Sequence, residues 1–144
     1  MIHTKEIRWF FEQENSQILN WFEAQGLNEY QVHEDIYLNL GKEDIGIKLR
    51  EGRVEIKQRW AIELKEVLGK IVIHTSTDKL ESGCLVEYTK LYSASHVWYT
   101  FGLEWFGKIY IQVPADFILD ILGSTEVHFN QSKGYTSFLI GHIK

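Results

Sequence analysis

The stretch Ile45-Gly46-Ile47-Lys48-Leu49-Arg50-Glu51-Gly52-Arg53-Val54-Glu55-Ile56-Lys57-Gln58-Arg59 decides the fold class. Ile45, Ile47 and Leu49 alternate with Gly46, Lys48 and Arg50; beyond Glu51-Gly52, Val54 and Ile56 alternate with Arg53, Glu55, Lys57 and Arg59. A period of two is that of a β-strand, whose successive side chains leave opposite faces, so each run predicts a strand with one apolar and one charged face. The two-residue connection ends in glycine, which takes a positive φ without steric cost, and the pair therefore reads as a β-hairpin.

Working outward, the same alternation recurs at Glu6 to Phe11, Asp35 to Leu40, Lys70 to Thr75, Cys84 to Leu91, Trp98 to Trp105 and Lys108 to Val113. That makes about eight strands. An open sheet of this size leaves long unpaired edges, so the expected architecture is α+β and mainly β: a closed or nearly closed antiparallel barrel with two or three flanking helices. One helix is capped by Asn15 or Ser16 and runs to about Gln25, with Ile18, Leu19, Trp21 and Phe22 as its apolar face and Gly26 at its end. A second starts near Pro114, suited to a first helical position, carries Phe117, Ile118, Ile121 and Leu122, and stops at Gly123. Tyr135 to Ile143 fits a short helix and an edge strand equally.

Composition bounds the rest. The 144 residues, 44% hydrophobic and 24% charged, match one ordinary globular domain spanning 1–144. Domains of this length bury roughly two thirds of their unfolded surface and fold without a covalent or metal staple. The lone cysteine, Cys84, cannot form an internal bridge and suits a reducing cytoplasm. Lys5, Glu6 and Arg8 interrupt any apolar leader after Met1, and no run approaches the roughly 18 apolar residues of a membrane span. A net charge of -5 disfavours a surface given over to nucleic acid. Locally the balance inverts: eight of the fifteen Lys and Arg residues lie between Lys42 and Lys70.

Face by face, Glu6 and Arg8 oppose Ile7 and Trp9, Lys48 and Arg50 oppose Leu49, and Glu55, Lys57 and Arg59 oppose Val54 and Ile56. Any sheet with one wet face shows such alternation. In a closed barrel, however, the charged face becomes the lumen, where unpaired charge is costly without mutual pairing or a ligand. A lining of cations with interleaved carboxylates, Glu87 and Glu104 among them, suits a polyanion carrying a divalent metal: Lys and Arg take phosphate oxygens while carboxylates take the ion.

The runs Asp35-Ile-Tyr-Leu and Gly46-Ile-Lys48-Leu-Arg50-Glu-Gly-Arg-Val-Glu55-Ile-Lys57-Gln-Arg59, following a charged first strand and a helix, resemble the CYTH or triphosphate tunnel superfamily, which includes thiamine triphosphatase and class IV adenylate cyclase. The likeness is strongest over residues 1–60. It implies an eight-stranded tunnel in which basic side chains bind a triphosphate and glutamates hold Mg²⁺ or Mn²⁺. By position, Lys48 and Arg50 resemble the family's paired basic residues, Lys57 its lysine on the next strand and Glu104 its late metal-binding glutamate. The first strand departs from the pattern. Where the family has Glu-x-Glu-x-Lys, this chain reads Glu6-Ile-Arg8-Trp-Phe10, so a carboxylate ligand has become a cation.

Two functions follow. In the first, a metal-dependent hydrolase acts on a triphosphate or organic polyphosphate: Arg8, Lys48, Arg50, Lys57 and Arg59 bind phosphate, Glu6, Glu87 and Glu104 hold Mg²⁺ or Mn²⁺, and Glu6, Glu55 and Glu104 serve the chemistry. In the second, the barrel binds an anion or a protein partner without turnover, Arg8 aiding the anion and hindering the metal. Other signals are weaker. The six histidines show no tight ligand spacing, His33-Glu34-Asp35 alternates across a strand, and Cys84 reads as a small buried residue. No GxxxxGK[ST] or GxGxxG nucleotide loop is present.

Overall fold

Two rows of side chains on opposite faces of one antiparallel sheet organise this protein, as seen in a computed structural model describing residues 5–27, 30–36, 54–76, 78–93, 96–128, 131 and 132, without the side chains of 33–36, 54–57 and 93. The strands are β1 (Lys5–Phe11), β2 (Gln31–Ile36), β3 (Val54–Val67), β4 (Lys70–His74), β5 (Gly83–Ser93) and β6 (His96–Phe106). The helices are α1 (Ser16–Ala24) and α2 (Ala115–Leu122). The sheet runs β1-β6-β5-β3-β2, with β4 also pairing to β3. Among the described residues it stays open, because β1 and β2 do not meet. The fold is thus a mainly β, α+β arrangement of six described strands and two helices.

Register shows why one face is the core. Trp9 lies opposite Phe101, Phe101 opposite Tyr88 and Tyr88 opposite Trp60; one step on, Ile7, Leu103, Val86 and Ile62 form the next row. Trp9, Phe101, Tyr88, Trp60, Leu103, Val86 and Ile62 are buried, and Ile18 and Phe22 of α1 with Ile121 and Leu122 of α2 join them in one cluster. Helices and sheet each bury the one apolar surface their period creates. The helix ends agree with the sequence. Asn15 is the N-cap of α1, its Oδ1 accepting from Ile18 N at 3.0 Å, and its own backbone N–H donates to Tyr88 Oη at 2.9 Å. Asn15 Nδ2 donates to Thr125 Oγ1 at 2.8 Å, which ties the start of α1 to the chain leaving α2. Pro114 is the N-cap of α2, one residue before the first helical position, and Gly123 closes the helix at φ 56°.

Two expectations shift and two lie elsewhere. The strand expected at Asp35 to Leu40 is observed as Gln31–Ile36, with 37–40 outside the described residues. Lys108 to Val113 forms no strand. Gly107 at φ 83° turns the chain, Ser82 Oγ accepts from Lys108 N and Ile109 N at 3.0 and 3.1 Å, and Ile111 O accepts from Trp105 Nε1 at 2.9 Å. Side chains thus take the polar groups a ladder needs, and of the alternating apolar residues Ile111 is buried while Ile109 is exposed. The strand Ile45 to Arg50 and the tail Tyr135 to Ile143 lie outside the described residues. No helix among the described residues is long and apolar enough to cross a membrane.

Candidate functional site

The opposite face carries the charge. Its central row is Arg8, Gly102, Glu87 and Ala61, flanked on one side by Glu6, Glu104, Leu85 and Glu63 and on the other by Phe10, Thr100, Thr89 and Arg59. Arg8 and Glu87 stand two strands apart, roughly 10 Å at ordinary strand spacing, with β6 between them. At the crossing point β6 carries Gly102, and a Cβ there would stand 2.7 Å from Arg8 Cζ. The missing side chain is therefore the channel through which the long arginine reaches across the sheet.

Arg8 is 1% exposed and bonded on three sides: Nε donates to Glu6 Oε1 at 2.7 Å, Nη1 to Thr100 Oγ1 at 2.7 Å and Nη2 to Glu87 Oε1. Its backbone N–H, on the outer edge of β1, donates to Ser132 Oγ at 3.0 Å. Glu87 divides its carboxylate, since Oε2 pairs with Arg59 Nε at 3.1 Å. The result is a chain, Glu6–Arg8–Glu87–Arg59, whose inner members are shut from water while the Arg59 side chain is 28% exposed. Buried charges persist only when paired in this way. Glu104 faces Glu6 across β1 and β6, and its carboxyl is held above the usual range, first by burial and then by Glu6 and Glu87, with Arg8 and Arg59 pulling the other way.

Of the residues singled out from the sequence, Glu6, Arg8, Arg59, Glu87 and Glu104 share this face. Glu55 and Lys57 belong to β3, where the register sets Glu55 opposite Asp35 and Ser93, and Lys57 opposite His33 and Leu91; their side chains are not described. Lys48 and Arg50 lie outside the described residues. Among the described residues, no group of three or more His, Cys, Asp and Glu is arranged to hold a metal ion. Sequence reasoning missed Thr100 and Gly102. A glycine inside the strand pattern Trp98 to Trp105 was the available signal, because it marks close approach of another group. Cys84 is buried on the core face, and its thiol is pushed up to about 12, chiefly by burial.

A second feature adjoins this network. A cavity of about 530 Å³ is lined by Arg59, Ala61, Glu63, His74, Asp78 and Leu85, among others. It opens where the outer edge of β3 changes partner: β2 pairs with it as far as Arg59 and β4 from Glu63, leaving Trp60, Ala61 and Ile62 without a strand neighbour on that side among the described residues. Arg59 thus ends the buried charge chain and lines the cavity.

No protein-family model matches the chain, and neither a curated protein nor a solved structure matches it.

Proposed function

We propose that this domain binds a small anionic ligand on the charged face of its sheet, without a divalent metal and without turnover. One observation carries the reading: the guanidinium of Arg8 lies between Glu6 and Glu87 and takes a carboxylate oxygen from each. Those are two of the carboxylates a Mg²⁺ or Mn²⁺ ion would need. A divalent ion binding there would have to displace a buried cation already bonded in three directions, against direct repulsion. The same arrangement serves an anion, because Glu87 fixes Arg59 at the edge of the cavity, and a pre-positioned guanidinium loses less freedom on binding an oxyanion. In its fuller form the reading has the sheet closing into a barrel of about eight strands, as in the tunnel proteins the sequence resembles, with Lys48, Arg50 and Lys57 adding cations to Arg59.

Thermal unfolding with inorganic triphosphate tests this. The melting temperature should rise as much in EDTA as in Mg²⁺ or Mn²⁺, with no phosphate released. A shift confined to the metal-containing samples together with phosphate release would establish the hydrolase instead. Absence of any shift with triphosphate, phosphate or an organic carboxylate would leave the charged face as a structural ion-pair network and end the proposal.

A further inference from the structure

The break in the sheet is an opening for a ligand. β2 and β4 lie end to end along one edge of β3, with Gln31 at the near end of one and His74 at the near end of the other. Along β3, Arg59, Ala61 and Glu63 present the same face, and Glu63 is opposite His74. Arg59 and Glu63 are about 13 Å apart at ordinary strand rise, with only the methyl group of Ala61 between them. That small residue leaves room for a ligand to lie along β3, against the apolar Leu85 and Leu27.

Each end of the cavity carries a buried polar atom with no hydrogen-bond partner among the described residues. At one end it is Arg59 Nε, which is ion-paired to Glu87 Oε2 without hydrogen-bond alignment; at the other it is His74 Nδ1. The histidine's role is set by its other nitrogen. Nε2 lies 2.8 Å from Asp78 O, and a carbonyl oxygen only accepts, so Nε2 carries the proton and, in the neutral ring, Nδ1 is left as a lone-pair acceptor. The two ends therefore ask for opposite things. Arg59 calls for an oxyanion, and His74, with Glu63 and Asp78 beside it, calls for a hydrogen-bond donor.

We infer that the cavity between β2 and β4 is a binding site for a small, elongated organic anion, its carboxylate or phosphate on Arg59 and its far end bearing a hydroxyl or amine for His74. This rests on the anion-binding reading above and adds to it a place and a polarity. A cavity of about 530 Å³ falls in the range of small-molecule sites. Arg8 enters as a positioning residue: by holding one oxygen of Glu87 it orients the other toward Arg59.

The probes are hexanoate, 6-hydroxyhexanoate, 6-aminohexanoate and hexyl phosphate, titrated into ¹⁵N-labelled protein. Amide shifts should concentrate at 59–63 and 73–76, and 6-hydroxyhexanoate or 6-aminohexanoate should bind at least fivefold tighter than hexanoate. Hexyl phosphate against hexanoate tells which oxyanion Arg59 prefers. Arg59→Gln should weaken every probe by tenfold or more, Ala61→Leu should block all of them by filling the cavity, and His74→Phe should abolish only the advantage of the donor-bearing probes. Lys108→Gln, away from the site, should change nothing. Shifts elsewhere in the wild-type protein, or unchanged binding in Ala61→Leu, would overturn the site. If triphosphate still raised the melting temperature in that case, anion binding would stand and only its location would fall.

Discussion

Gly102→Ala is a one-carbon test of the charged face. The new Cβ would stand 2.7 Å from Arg8 Cζ and 2.9 Å from each Nη. Carbon contacts settle near 3.6 Å, so the guanidinium must retreat by about 1 Å. Its bonds to Glu6 and Thr100 are both 2.7 Å, and a displacement of that size takes at least two of its three side-chain partners among the described residues beyond hydrogen-bond range. Bonds to charged groups contribute about 1.5–3 kcal/mol each, and alanine returns about 0.5–1 kcal/mol of backbone entropy relative to glycine. The net loss is about 2–5 kcal/mol, and the melting temperature should fall by roughly 5–15 °C. Urea unfolding monitored by tryptophan fluorescence should show a lower midpoint at unchanged slope. The cycle with Arg8→Met isolates the cause. Methionine has no guanidinium to displace, so in that background the alanine should cost less than about 1 kcal/mol, although Arg8→Met alone costs about 3–5 kcal/mol by leaving the buried Glu87 with only Arg59 as its partner among the described residues. A Gly102→Ala protein as stable as wild type, or an equal loss in both backgrounds, would refute the picture of an arginine threaded through the sheet.

Two further outcomes follow from the same geometry. Because the folded carboxyl of Glu104 titrates above its unfolded value, its charged form opposes folding above that range and its effect vanishes once both states are protonated; Glu104→Gln should therefore melt higher than wild type at pH 7, the gain shrinking toward pH 4 in a series of thermal scans. Cys84, buried with its thiol pushed up to about 12, should resist a thiol-specific reagent at pH 8 in the native protein and react fully in urea, with a native rate that tracks unfolding.

How much of this was legible depended on whether one strand or several were needed to read it. The faces of β1 required only a period of two, and Glu6 and Arg8 do oppose Ile7 and Trp9 as the alternation implied. The limits of α1 and α2 were written in Asn15, Gly26, Pro114 and Gly123, each acting on its own neighbours. Lys108 to Val113 misled because an apolar alternation need not be a strand face: Ile111 is buried from a loop whose amides at 108 and 109 are bound by Ser82, while Ile109 in the same alternation is exposed. The partners of Arg8 were illegible for a different reason. Glu87 lies 79 positions away and Thr100 lies 92, and only the register of β1 on β6 and of β6 on β5 brings them to one guanidinium.

That register also alters the meaning of the departure in the first strand. A glutamate in place of Arg8 would face the buried Glu87 across the gap at Gly102, beside Glu6 and the half-buried Glu104, and four carboxylates so close together call for a multivalent cation or several protons. With arginine the demand is met from within the chain: among the described residues of this cluster, three carboxylates stand against the guanidiniums of Arg8 and Arg59. The carboxyl of Glu104 is raised above its ordinary value, first by burial and then by Glu6 and Glu87. An internal cation is covalently tethered, so it neutralises the cluster at any metal concentration and leaves Glu87 free to align Arg59. Arg8 thereby occupies the space between Glu6 and Glu87, and through Glu87 it holds Arg59 in the alignment that the proposed anion site requires.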